Sequence, residues 1–263
     1  MISILLSRIK LSSVLASGLI FVAFAARAID TDRFDAAVSH SGRPEMDLKR
    51  DAVDRPADML RLAGIKPGMQ VADVLAGSGY NSELLSYVVG PKGKVFLINN
   101  EAYDHWSAGL EKRLAGNRLA NVEHDTVDLN HMNLRDESLD AVFLIKVYHD
   151  FYWTGEGWPK IDPGAVLEQL ARALKPGGVL LLIDHSAKPG TGSEAAAANL
   201  HRIDENYAIR DFAAHGGLKV VARSNLLKRP EDSRDQSSLS EPMNGKTDRF
   251  VLLLRKEGRK SSQ

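Results

Sequence analysis

Short runs of almost purely apolar residues alternate along this chain with stretches of helical period. Val71, Ala72, Val74 and Leu75, then residues 94–98, 140–145 and 179–183, are apolar at nearly every position. That is the pattern of parallel strands buried on both faces. Between them, Leu84, Leu85, Val88 and Val89 fall on one helical face, as do Val166, Leu167, Leu170, Ala171 and Leu174. The second helix is bounded by Asp162-Pro163 and by Lys175-Pro176-Gly177-Gly178, an N-cap with proline in the first turn and a glycine stop. Arg55-Pro56 opens an earlier helix with Met59, Leu60 and Leu62, ending at Gly64. The same reading predicts a helix over 104–114, a third strand over 121–126, a helix over 199–215, a sixth strand over 218–222, a polar loop over 230–245 and a last strand over 249–254. Strands alternating with helices and ending in a strand pair predict one α/β domain over 55–256, followed by a disordered tail at 257–263.

The N-terminus stands apart from this pattern. Arg8 and Lys10 precede an apolar run from Leu11 to Phe24, and Ala26-Arg27-Ala28 places small residues at −3 and −1 of a cut before Ile29. This reads as a signal peptide over 1–28, the run being short for a spanning helix. A periplasmic or secreted location follows as an expectation, with no stable membrane insertion after cleavage. Residues 29–54 are polar, broken by Ser41-Gly42-Arg43-Pro44, and read as an irregular arm.

Composition narrows the chemistry. Of 263 residues, 34 are Lys or Arg and 34 Asp or Glu; removing 1–28 takes away three basic residues and leaves 31 against 34, a charge of −3. Without a basic stripe, nucleic acid is not expected as a partner. Cysteine is absent, which excludes disulfides, thiolate metal sites, a cysteine nucleophile and a lipoprotein anchor.

The stretch Gln70 to Asn81 organises the domain: an apolar strand, then the lean turn Ala76-Gly77-Ser78-Gly79, then a helix whose free N–H groups face that turn. Such a turn suits a nucleotide-like ligand. A dinucleotide loop wants a third glycine, where Ser82 stands, so an oxidoreductase is disfavoured. Asp73-Val74-Leu75-Ala76-Gly77-Ser78-Gly79-Tyr80 resembles the first motif of the class I S-adenosylmethionine-dependent methyltransferases, with Leu75 where that family usually has its first glycine. The phrase Leu174-Lys175-Pro176-Gly177-Gly178 before an apolar strand is a second match, structural in role. Phrases such as VYHDFYW, IDHSAKPGTG, LHRIDE and TDRFVL are similar to a branch of exported predicted methyltransferases.

The resemblance implies a Rossmann-like fold, a mostly parallel seven-stranded sheet with helices on both faces and an antiparallel last strand, and S-adenosylmethionine as cofactor. It places the cofactor against Asp73, Ala76, Gly77, Ser78, Gly79 and Tyr80. Asn99 or Glu101 would meet the ribose; Asn99, 22 residues after Gly77, is an amide, and Glu101 is two positions late. Asp125 and Thr126 would meet the adenine.

After the fourth strand stand Lys146, Tyr148, His149, Asp150, Phe151, Tyr152 and Trp153, at the sheet edge where ligands bind in open α/β folds. His149 is the first candidate for a general base and His185 the second, with Asp150 to orient either. The Asn/Asp-Pro-Pro-aromatic signature of amino-group methyltransferases is missing, which argues against adenine or amide nitrogen as acceptor; a small molecule is expected. His201, Asp204 and Glu205 would lie on one side of the 199–215 helix, within reach of a metal or able to orient a base; a solvated surface pair fits their spacing better, and no metal is expected. The rival from another class is a non-catalytic periplasmic ligand-binding protein on a degenerate methyltransferase fold, favoured by Leu75 and Asn99.

Overall fold

The computed structural model describes residues 33–191, 193 and 200–258; the expected leader at 1–28 and the last residues of the expected tail lie outside them. Seven strands form one sheet in the order β3-β2-β1-β4-β5-β7-β6. They are β1 (Gln70–Val74), β2 (Lys94–Asn99), β3 (Val122–Thr126), β4 (Leu139–Ile145), β5 (Leu174–His185), β6 (Leu218–Ser224) and β7 (Arg249–Lys256). The first five run parallel, and β7 is antiparallel to both β5 and β6. The helices are α1 (Glu45–Asp54), α2 (Pro56–Ala63), α3 (Tyr80–Val89), α4 (Glu101–Trp106), α5 (Leu110–Leu114), α6 (Pro163–Ala173) and α7 (Glu205–Gly216).

Successive strand residues feed two separate cores. Ala72, Val74, Leu180 and Leu182 pack on the face covered by α6 and α7; Val71, Leu181 and Ile183 pack on the face covered by α2 and α3. A strand with helices on both sides must be apolar at every position, which is why β1, β4 and β5 read as unbroken runs. Each fully buried Leu or Val contributes on the order of 1.5–3 kcal/mol.

Four expectations are corrected. The arm is not irregular throughout: residues 33–38 form a helical turn, and α1 follows Pro44 with Glu45 and Asp47 in its first turn. Its inward face carries Asp47 and Asp54, so it has no apolar period to detect. The single helix expected over 104–114 is two, because Asn100 caps α4 and Gly109, at φ 92°, begins α5. β5 starts earlier than expected: Leu174 pairs with Leu139 and Val179 with Ala141, so residues 175–178 bulge out of an extended strand. Of the helix expected over 199–215, residue 199 lies outside the described residues, residues 201–204 are not helical, and α7 begins at Glu205, capped by Asp204, whose carboxylate accepts from the Asn206 N–H. His201 therefore stands in a loop, at φ 49°, and does not share a helix face with Asp204 and Glu205. Glu205 pairs instead with Arg223 and Lys228.

Candidate functional site

The chain leaves β1 through Leu75, held at φ 51° although its side chain is buried in the core. A bulky residue in the left-handed region costs of order 1–3 kcal/mol, and the packing of that side chain holds it there. Gly77 and Gly79 follow at φ 59° and 81°. A Cβ on Gly79 would lie 3.0 Å from Leu97 and 3.1 Å from Arg113, and few L side chains adopt φ 81°, so glycine is favoured there with or without a ligand. Asn99, fully buried at the end of β2, is turned onto this loop: its amide accepts from the Gly77 N–H at 2.9 Å, donates to the Gly77 carbonyl at 3.1 Å and donates to Asp104 at 2.7 Å. Tyr103 and Ser107 sit over Gly77.

Asp73 lies inside β1, 1% exposed, and accepts from the Ser82 hydroxyl at 2.7 Å, tying β1 to α3. Burial pushes its carboxyl up to about 7, against the opposing hydrogen bond from Ser82. Tyr80 faces α1: its hydroxyl donates to Asp51 at 2.6 Å and its ring lies 3.9 Å from the Arg50 guanidinium carbon. The Ser78 carbonyl accepts from the buried Arg113, which also pairs with Asp47 and Glu83.

At the carboxyl ends of β2 and β3 opens a cavity of about 440 Å³, lined by Asn100, Glu101, Thr126, Asp128, Trp158 and Ile161 among others. Asp125, half-buried at the level of Ile98, does not line it. The Asn100 carbonyl oxygen is spent on the Tyr103 N–H, and its amide nitrogen is buried with no partner. An orphan donor beside two carboxylates, with apolar walls from Trp158 and Ile161, fits an adenosine group. The loop side is tighter, since any group laid against Gly77 must displace Tyr103 and Ser107.

Across the cleft, β4 and β5 end in a second constellation. A 3₁₀ turn, Tyr148–Tyr152, buries His149 and Asp150. Asp184, inaccessible at the end of β5, accepts from the His149 backbone N–H at 2.9 Å and lies 2.7 Å from His149 Nδ1. His149 Nε2 lies 3.2 Å from Asp150 Oδ1, and His201 Nδ1 lies 3.7 Å from the same oxygen. The other Asp150 oxygen accepts from the Tyr103 hydroxyl at 2.7 Å. Burial opposes a charge on His149, but the Asp150 and Asp184 carboxylates outweigh it and hold the imidazolium well above the ordinary histidine range. Burial and the neighbouring His149 push His185 well below that range. Nδ1 of His185 lies 2.8 Å from the Thr247 hydroxyl, and its Nε2 has no hydrogen-bond partner among the described residues.

The structure thus brings His149, Asp150 and His185 together, and sets Glu101 and Thr126 in one cavity. Asp73, Ser78, Tyr80 and Asn99 turn inward, onto helix, loop or arm. Sequence reading missed Asp184 as the partner of His149, His201 as a neighbour of Asp150, and Arg113; Asp184 and His201 lie in the phrases IDHSAKPGTG and LHRIDE, but nothing local says that they meet His149 and Asp150. A buried acid closing the apolar β5 run was the one available signal for Asp184.

Residues 72–182 match the family model described as a methyltransferase domain. A relative, the ubiquinone/menaquinone biosynthesis C-methyltransferase UbiE of Saccharophagus degradans, is 25% identical over 162 residues, 59% of this chain and 61% of that protein. The chain spans about three fifths of the length of the curated relatives it matches. Among solved structures, a SAM-dependent methyltransferase from Aquifex aeolicus superposes with a TM-score of 0.57 at 23% identity, covering 78% of this chain and 92% of that one. The [4+2]-cyclase SpnF superposes with 0.56 at 14%, covering 78% and 82%. Likeness at this level establishes the fold, and a fold does not by itself dictate a reaction. Residues 72–182 thus match a methyltransferase domain, and the sheet order, with β7 antiparallel between β5 and β6, is the Rossmann-like α/β fold of these solved neighbours.

Proposed function

We propose that the protein is an S-adenosylmethionine-dependent methyltransferase acting on a small-molecule acceptor. One observation carries the reading within the matched domain: the cavity at the carboxyl ends of β2 and β3 joins the carboxylates of Glu101 and Asp128 to an Asn100 amide nitrogen with no partner among the described residues. Glu101 would accept from ribose hydroxyls, Asp128 and Thr126 would meet the adenine, and Trp158 with Ile161 would pack on its ring. When bound, the sulfonium supplies a methyl group already activated for transfer. What the chain must add is alignment, exclusion of water and a place for one proton. Tyr152, Trp153 and Trp158 wall a cavity of about 620 Å³ that suits a planar apolar acceptor. For the proton, His185 is the less encumbered of the two candidate bases, because its Nε2 has no hydrogen-bond partner among the described residues whereas both ring nitrogens of His149 face carboxylates.

Calorimetric titration with S-adenosylmethionine, S-adenosylhomocysteine and NAD tests the cofactor. Saturable binding of the first two is expected; binding of NAD alone would return the oxidoreductase reading, and binding of none would leave a degenerate fold. We also propose export with cleavage after Ala28, on the basic start, apolar run and Ala-Arg-Ala ending. Intact-mass measurement of periplasmic protein decides it: a mature chain beginning at Ile29 is expected, and one retaining 1–28 refutes it.

A further inference from the structure

Outside the cofactor cavity, the strongest unassigned chemistry is the group His149, Asp150 and His201. One ligand atom from each lies within 4.8 Å of the others, and two of the three residues are buried. We infer that these side chains form a binding site for one divalent first-row transition ion, with His149 Nε2, Asp150 Oδ1 and His201 Nδ1 as ligands. The inference goes beyond the methyltransferase reading and does not depend on it.

The spacing supports it. Around a tetrahedral ion with bonds of about 2.0–2.1 Å, ligand atoms stand roughly 3.3 Å apart. His149 Nε2 is 3.2 Å and His201 Nδ1 3.7 Å from Asp150 Oδ1. The rings of the two histidines meet edge to face, 5.5 Å between centroids, so both nitrogens turn toward the carboxylate rather than stack.

The surroundings support it independently. A carboxylate can only accept, so Asp184 at 2.7 Å holds one proton on His149 Nδ1; the second proton, which Nε2 shares with Asp150, leaves to solvent when an ion takes its place between the two atoms. This carboxylate–histidine arrangement is what orients imidazole ligands in metal sites. Asp150 is oriented in the same way, its second oxygen taken by the Tyr103 hydroxyl. His201 stands at φ 49°, directly after Leu200. Its carbonyl accepts from the Ser238 hydroxyl at 2.8 Å, and the next residue, Arg202, is buried against Asp232 at 2.7 Å and the Ser186 carbonyl at 3.1 Å. Ile203 bonds the His185 carbonyl, which anchors the loop to the end of β5. These bonds hold the loop so that it carries His201 to the buried His149–Asp150 pair. Two imidazoles and one carboxylate select a borderline ion such as Zn²⁺, Fe²⁺ or Co²⁺ over Ca²⁺ or Mg²⁺, and leave a coordination position open.

The test uses the mature full chain, dialysed against chelator and then titrated with Zn²⁺, and separately with Co²⁺ read by its visible absorption. Wild type should retain about one Zn²⁺ per chain after removal of free metal and gain melting temperature on binding. Asp150→Asn and His201→Ala should lose both retention and the metal-dependent rise in melting temperature. Asp184→Asn, which removes the orienting charge but no ligand, should weaken Zn²⁺ on the order of 10–100-fold. Melting in chelator separates folding from binding, since His201→Ala should melt there close to wild type. Wild type retaining neither ion, or His201→Ala retaining as much Zn²⁺ as wild type, overturns the site.

Discussion

The two sides of the cleft are built on different principles. On the β1–β2 side the backbone makes the site: left-handed residues at 75, 77 and 79 lay a bare loop against the sheet, and Asn99 clamps it through main-chain atoms. On the β4–β5 side the backbone only delivers side chains, and the order comes from buried charge, with Asp184 and Asp150 flanking His149. A loop held by conformation tolerates loss of a side-chain contact better than a charge cluster tolerates loss of a partner.

That contrast can be broken experimentally. The largest effect is expected on the charged side: Asp184→Ala leaves an imidazolium and two backbone N–H groups buried without their acceptor, a loss on the order of 3–5 kcal/mol measurable by denaturant unfolding. A loss below about 1 kcal/mol, the range of a neutral hydrogen bond, would put the two sides on the same footing. A smaller effect is expected at the exposed Glu101. Glu101→Gln should weaken S-adenosylmethionine about tenfold, the scale of one charge-assisted hydrogen bond, with melting unchanged. Equal affinity would move the ribose contact elsewhere, Asp128 first.

The third effect is a slope with pH. Asp73 titrates near 7 in the folded chain and near 4 when unfolded, so between those values the folded state binds the extra proton. Stability is therefore fully present below about pH 4 and declines as pH rises through 7. Asp73→Asn keeps an acceptor for the Ser82 hydroxyl and cannot ionise, so its melting temperature should fall less than wild type's across that window. Parallel curves would mean that Asp73 is ionised throughout and adds a charge inside β1 to the buried Arg113, Asp47 and Glu83 group behind the loop.

The strand runs, the glycine turn, the helix caps at Asp162 and Gly64 and the strand pair at the end were all legible in the sequence. Each is decided by neighbours a few residues apart: a period of burial, a proline, a residue without Cβ. The cluster on the other side was not legible, because His149, Asp184 and His201 are brought together only by the pairing of β4 with β5 and by a loop pinned through Arg202 and Asp232. The helix α1 escaped for a related reason, since its inward face is acidic and meets Arg113, Lys146 and Arg249 from distant segments. Composition and period record how a segment meets water and apolar surface. Which polar side chains meet one another is set by the sheet order and the register of its strands, and only the tertiary structure decides that.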